Sequence, residues 1–312
     1  GGRPRPAGGR WTRLPIDDNG GTTIMTPPSA SLTATNITTS AKPRARGFPV
    51  LVATLHDSRS LLGAACGYVL IIGLLVGLLL PAFETLKIET YLTGSIGALI
   101  GGAQLSPKTP LFAAYLALEL YGSFFMLLFG GVLAYASGAS IARNIEDGTI
   151  DLALARPISR TRYYLETWAA LLLGMGIIVA TSLLTAWLCT VFFPNATLDW
   201  QWFLLANVDV AALLFLVVGL GLLVSALMSA GRAAGGVATL VVVLWYLFQT
   251  FGTAGDRLSF LKYLGPYYYA PSSQVITAEQ WSDPWKLLVL VAAGLILGTA
   301  GLIYFRRRDI TA

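Results

Sequence analysis

The chain has 312 residues, 55% of them hydrophobic and 12% charged, and a mean hydropathy of +0.67. Soluble domains carry roughly a quarter charged residues, so a soluble fold is excluded and an all-α integral membrane protein is expected. The net charge of +5 does not point to nucleic acid: eight of the 21 Lys and Arg residues precede the first long apolar run, and Arg306, Arg307 and Arg308 follow the last. That is the distribution of membrane flanks rather than of a binding groove. The apolar runs are too continuous for barrel strands, which alternate. Backbone groups in hydrocarbon must be bonded within their own segment, so the spans are helices.

Residues 1–46 are rich in Gly, Pro, Ser, Thr and Arg and are expected to form a disordered tail, because they cannot bury enough apolar surface to fold. They contain no apolar core of a secretory signal. The first methionine is Met25, where the native start is expected. Residues 47–312 form the membrane domain. From Phe48 to Arg59, residues Val50, Leu51, Thr54 and Leu55 share one helical side before the polar Asp57, Ser58 and Arg59. This predicts an amphipathic helix lying in the cytoplasmic interface.

Six runs follow that approach the roughly 20 residues needed to cross hydrocarbon, at about 61–81, 111–137, 162–192, 203–228, 235–253 and 284–305. Glycines recur in all of them, and small residues let helix backbones approach closely in lipid. Residues 82–110 hold a short Gly-rich apolar piece, 91–100. Residues 254–284 hold Tyr263, Tyr267, Tyr268, Tyr269 and Trp281, with Trp285 just beyond. Such aromatics favour the headgroup level. An interfacial or re-entrant cap is therefore expected before the last span, cut into short pieces by Pro266 and Pro271. With the N-terminus inside, the inner segments hold sixteen Lys and Arg and the outer ones five, which places both termini in the cytoplasm of a multi-pass plasma-membrane protein.

Cys66 and Cys189 both sit inside apolar runs and read as small hydrophobes rather than as a disulfide or metal pair. His56, the sole histidine, reads as a solvated residue beside Asp57; one histidine without a nearby cysteine is a poor metal site. No catalytic or metal-binding set emerges. Two acids lie within spans. Glu119, in the second, reads either as a polar spot on a transport path or a proton-linked site, or as an acid near the outer interface. Asp209, in the fourth, reads first as an interfacial acid, solvated or bonded to a hydroxyl. A charge at mid-membrane costs roughly 3 kcal/mol or more. Gln249 is the remaining polar candidate, in the short fifth run.

The polar stretch from Arg143 to Arg162 is longer than a hairpin needs. Asp147, Gly148 and Thr149 can open a helix, Ile150, Ala153, Leu154 and Pro157 share one side, and Pro157 ends it. Ser159 can cap the third span. The expected product is a short cytosolic helix with an apolar face.

Here the sequence resembles a known family. The run from Glu146 through Asp147, Gly148, Thr149, Ile150, Asp151, Leu152, Arg156, Pro157, Ile158, Ser159 and Arg160 is similar to the Glu-x-Gly-Thr…Pro-(Val/Ile)-Ser-Arg signature of type-2 ABC exporter permease subunits. Three further pieces agree in order: Leu55 to Gly63 resembles the elbow entering the first span, Leu264 to Tyr269 the outer segment before the last, and Phe305 to Asp309 the closing tail. The resemblance implies six spans, a coupling helix between spans two and three, and a separate ABC ATPase, normally in two copies. It also implies a second permease, identical or related, across the path. By position, the docking role falls to Asn144, Glu146, Asp147, Gly148, Thr149, Asp151 and Leu152, with Arg156, Pro157 and Arg160 shaping the exit. Ala153 and Ala155 depart from the larger aliphatics common in the family. The implied substrates are amphipathic small molecules, peptides or lipids. No phosphate-binding Gly-x-x-x-x-Gly-Lys-(Ser/Thr) run occurs in the chain, so ATP and Mg belong to the partner and no cofactor to this chain. The alternatives are a proton-coupled secondary transporter using Glu119 and a non-transporting membrane scaffold.

Overall fold

The computed structural model describes residues 47–85, 109–150, 158–254, 256–281 and 283–308. The tail 1–46, the apolar piece 91–100 and most of the segment expected to couple, 151–157, lie outside them. The described residues are helical throughout the spans. The helices are α1 (Pro49–Thr85), α2 (Leu111–Glu119), α3 (Ser123–Glu146), α4 (Arg160–Phe192), α5 (Trp200–Leu227), α6 (Gly231–Ala254), α7 (Ser272–Ala278) and α8 (Pro284–Arg307). Two 3₁₀ turns, Asp256–Leu264 and Pro266–Tyr268, separate α6 from α7. Among the described residues, five helices are long and apolar enough to cross a membrane: α1, α4, α5, α6 and α8.

Two expectations are corrected. The interfacial helix expected at 48–59 is not a separate element, because α1 runs unbroken for 37 residues. Pro49 opens it, where a missing amide costs nothing. Asp57, Ser58 and Arg59 are polar but contain no helix breaker, so the apolar run is interrupted and the hydrogen-bond ladder is not. At 1.5 Å per residue, α1 is about 55 Å long, well beyond a hydrocarbon core of about 30 Å. The span expected at 111–137 is also not continuous. It is broken at Leu120–Gly122 into α2 and α3. The amides of Leu120 and Tyr121 both donate to the carbonyl of Leu116, the second across five residues, which widens the last turn of α2. Gly122 follows, and a Cβ there would overlap the Leu118 carbonyl oxygen. Tyr121 turns inward and is fully buried. Its hydroxyl lies 3.2 Å from Ser182 Oγ of α4, which lies 2.8 Å from Asn207 Oδ1 of α5. A buried polar trio thus anchors the break.

α5 lies at the centre, buried on most sides, and packs on α8, α3 and α4. α1 packs along α4, and α3 along α6. α8 buries only a stripe: Leu290, Gly294, Gly298, Gly301 and Phe305. The outward faces of α1, α4, α6 and α8 expose large apolar side chains such as Ile71, Leu78, Trp187, Phe192, Leu240 and Ile296. A continuous apolar surface of this kind suits lipid contact.

Candidate functional site

The hydrogen bonds divide the bundle into two ends. At the aromatic end, Thr109 Oγ1 donates to the Thr277 carbonyl at 2.8 Å, tying the entry of α2 to α7. Tyr263, Tyr268, Tyr269 and Trp285 pack edge to face in sequence. Lys286 lies 5.2 Å from the Tyr268 ring centre and pairs with Asp283 at 3.3 Å. Pro266 opens the second 3₁₀ turn and Pro271 precedes α7, as the proline positions led us to expect. Burial, and to a lesser degree Tyr246, holds the Tyr267 hydroxyl above the ordinary phenol range.

At the opposite, polar end, six helix termini meet around the flanks of segment 147–159. α3 ends at Glu146, with Asp147 as its cap and Gly148 in the left-handed region at φ +66°. Glycine takes that conformation without steric cost. Helical backbone resumes at Thr149 and Ile150. Thr149 Oγ1 lies 3.1 Å from Asn144 Oδ1, and Asn144 Nδ2 donates to the Tyr163 hydroxyl at 2.8 Å. Ile150 is buried in a cluster with Val50, Ile158, Tyr163 and Phe305, so the apolar side of the segment begins seated on the bundle. Ser159 caps α4 by accepting from the Arg162 amide at 3.2 Å, as expected.

Both flanks are tethered to one turn. The Glu146 carboxylate accepts from the Gly231 amide at 2.7 Å, at the N-terminus of α6, where the helix dipole favours an anion. On the other flank, Arg160 Nη1 donates to the Arg308 carbonyl at 2.6 Å. Arg308 in turn donates through Nη1 to the carbonyls of Ala226 and Met228 at 2.7 and 2.9 Å, where a cation suits the C-terminus of α5. The turn from Met228 to Gly231 is therefore held from one side by Glu146 and from the other by Arg160 through Arg308. Ser225 adds two further bonds nearby, accepting from the amides of Ile141 and Ala142 of α3. The Arg143–Asp147 pair at 3.7 Å is exposed and contributes little.

The position-based assignments divide. Asn144, Glu146, Asp147, Gly148, Thr149 and Arg160 gather at this end, whereas Asp151, Leu152, Arg156 and Pro157 lie outside the described residues. Glu146 and Arg160 have bonds inside the bundle, so they do not face outward alone. Asp209 is fully buried, which excludes solvation at an interface. Gln249 is half-buried on α6, and its Oε1 has no hydrogen-bond partner among the described residues. Glu119 is exposed at the end of α2. His56 and Asp57 are exposed and 3.9 Å apart. Cys66 and Cys189 are free thiols, half-buried and buried.

Sequence reasoning passed over Glu166. This acid lies nearly two turns into α4, is almost fully buried, and accepts from Arg162 Nε at 2.7 Å and from the Val50 amide at 3.0 Å. Arg162 also donates to the Gly47 carbonyl at 2.7 Å. The pair locks the start of α1 to the start of α4. Its signal was legible as an Arg and a Glu at i, i+4 spacing.

The family model described as ABC-2 family transporter protein matches residues 25–310, nearly the whole chain. The chain belongs to this family. No curated protein matches it. As an ABC-2 family member, the protein is a multi-pass membrane permease of an ABC transporter, a transport subunit whose family works with an ABC ATPase.

Proposed function

We propose that this permease is the membrane half of an ATP-driven exporter in the plasma membrane, with both termini cytoplasmic. A separate ABC ATPase, in two copies, docks on segment 147–157 and supplies the ATP and Mg chemistry. A second permease, identical or related, completes the path. The reading is supported above all by the double tether at the turn from Met228 to Gly231. A partner pressing on the segment pulls α3 and α4 directly through the backbone. It moves α5, α6 and α8 through the Glu146–Gly231 bond and the Arg160–Arg308 relay. Hydrogen bonds to charged groups contribute about 1.5–3 kcal/mol, less where solvent reaches them. Several acting on one turn favour joint motion of the helix ends over sliding. The α2–α3 pair supplies the sixth membrane pass, broken rather than continuous.

The test has two arms. A tagged chain purified from native membranes is expected to bring down an ABC ATPase. Asp151→Lys, on the docking segment, is expected to lose that ATPase while eluting as a folded protein. Arg308→Ala, inside the tether, is expected to keep it bound but lose permease-dependent stimulation of ATP hydrolysis. A wild-type chain without an associated ATPase, or an Asp151→Lys chain that retains it, overturns the reading.

A further inference from the structure

Asn144 belongs to the docking set that the resemblance implies, yet its side chain is engaged inside the protein. Nδ2 donates to the Ser140 carbonyl at 2.9 Å and to the Tyr163 hydroxyl at 2.8 Å, which uses both of its hydrogens. Oδ1 accepts from Thr149 Oγ1 at 3.1 Å. The Ser140 carbonyl can only accept, so it fixes which way the amide points and leaves Oδ1 for Thr149. Thr149 Oγ1 also lies 3.3 Å from the Asn144 carbonyl, so both contacts of that hydroxyl go to one residue. The carboxamide joins three pieces of chain: the last turns of α3, the start of the docking segment and the start of α4. Tyr163 extends the line, because its buried ring stacks on Phe305 of α8 at 6.1 Å and 24°.

A bond at Thr149 matters because of what precedes it. α3 ends at Glu146, and Gly148 turns the chain at φ +66°. A Cβ on Gly148 would meet no described atom within 4 Å, and glycine is the residue that resists backbone rotation least. Helix continuity therefore does not set the direction of the chain beyond it. Two contacts on the far side of the glycine do. Ile150 is buried in the cluster that holds Tyr163 and Phe305, and apolar burial is non-directional. The Thr149–Asn144 bond spans the glycine, and a hydrogen bond has a preferred angle. Burial of Ile150 seats the segment, and the bond to Asn144 aims it.

We infer that Asn144, with Tyr163, is a positioning residue: it braces the docking segment across the Gly148 pivot and passes the segment's displacement to α4 and, through Phe305, to α8. The word docking rests on the permease reading; the brace does not. This role differs from the direct ATPase contact that the resemblance implies for Asn144. It also differs from the double tether, which acts on the turn from Met228 to Gly231 and not on the angle of the segment.

The brace is tested on the full chain in lipid nanodiscs without an ATPase. In a Cys66→Ala, Cys189→Ala background, nitroxide labels at Asp151→Cys, beyond the pivot, and at Arg307→Cys, exposed at the end of α8, report the segment's position by pulsed spin–spin distance measurement. The parent is expected to give one narrow distance distribution. Asn144→Leu and Thr149→Val, each near its parent in volume, are expected to broaden it. The double variant is expected to be no broader than Asn144→Leu alone, because one bond is being removed twice. An unchanged distribution in either single variant overturns the brace, and Thr149→Val decides alone where Asn144→Leu does not fold. Transmission is read separately. Asn144→Leu, and Tyr163→Phe, which keeps the ring on Phe305, are expected to retain the co-purifying ATPase. Both are expected to lower permease-dependent stimulation of ATP hydrolysis about threefold or more, the equilibrium worth of one buried hydrogen bond. Full stimulation in both, or loss of the ATPase from Asn144→Leu, overturns the positioning role. If no ATPase accompanies the wild-type chain, the coupling reading falls and the distances still decide the brace.

Discussion

Glu166 shows how much a single side chain can decide at the polar end. The first turn of a helix leaves amides without intrahelical partners, and α1 starts where bulk water gives way to the bundle. A buried carboxylate from another helix meets the Val50 amide at 3.0 Å and is itself balanced by Arg162 at 2.7 Å. Removing one member of such an arrangement strands the others. Glu166→Ala is expected to destabilise the protein by about 1–3 kcal/mol, the cost of a buried donor left unmade. Glu166→Gln keeps an acceptor for Val50 and should cost less. Thermal unfolding of the detergent-purified chain checks the order: wild type, then Glu166→Gln, then Glu166→Ala. Equal midpoints for wild type and Glu166→Ala remove the lock.

At the scale of elements, helix contact in this bundle is set by glycine and interruption by tyrosine. α5 and α8 cross so closely that a Cβ on Gly219 would overlap the Gly294 carbonyl oxygen. Backbone cannot yield there, so Gly219→Ala is expected to cost about 1–3 kcal/mol through overpacking. Gly236 of α6 has open space around the same position. Gly236→Ala is therefore expected to be neutral or to stabilise by about 0.4–1 kcal/mol, through the reduced freedom of the unfolded chain. Unfolding midpoints of the two variants should move in opposite directions, and a matching loss in both would argue that α6 packs against something at Gly236. The break between α2 and α3 belongs to the same scale. It exists because Tyr121 finds buried partners in Ser182 and Asn207, which compensate the hydrogen bonds that the interrupted helix forgoes.

Across the whole molecule, the polar and aromatic ends give the bundle a direction that surface labelling can read. In a Cys66→Ala, Cys189→Ala background, single cysteines at Thr149 and Arg306 should react with a membrane-impermeant maleimide only after cells are permeabilised. A cysteine at Trp281, beside the aromatic end, should react in intact cells. Labelling of Thr149 in intact cells reverses the proposed orientation and with it the docking of a cytoplasmic ATPase.

The sequence by itself determined the membrane class, the helical spans, the aromatic pieces before the last span and the family. Length of apolar run, composition and prolines report on local burial and backbone freedom, and these do not depend on partners far along the chain. Helix ends at Phe192, Leu227 and Ala254 fall within one or two residues of the expected ones for that reason. Only the tertiary structure decided that α1 absorbs the interfacial helix, that Tyr121 breaks the second run, and that Asp209 is buried. It alone brought Glu146 to Gly231 and Arg160 to Arg308, pairs separated by 85 and 148 residues. A carboxylate or a guanidinium carries the same letter whether it faces a partner protein or a neighbouring helix end. Which unmet backbone groups lie within reach is fixed by packing, and that packing is set by where small residues let the helices approach.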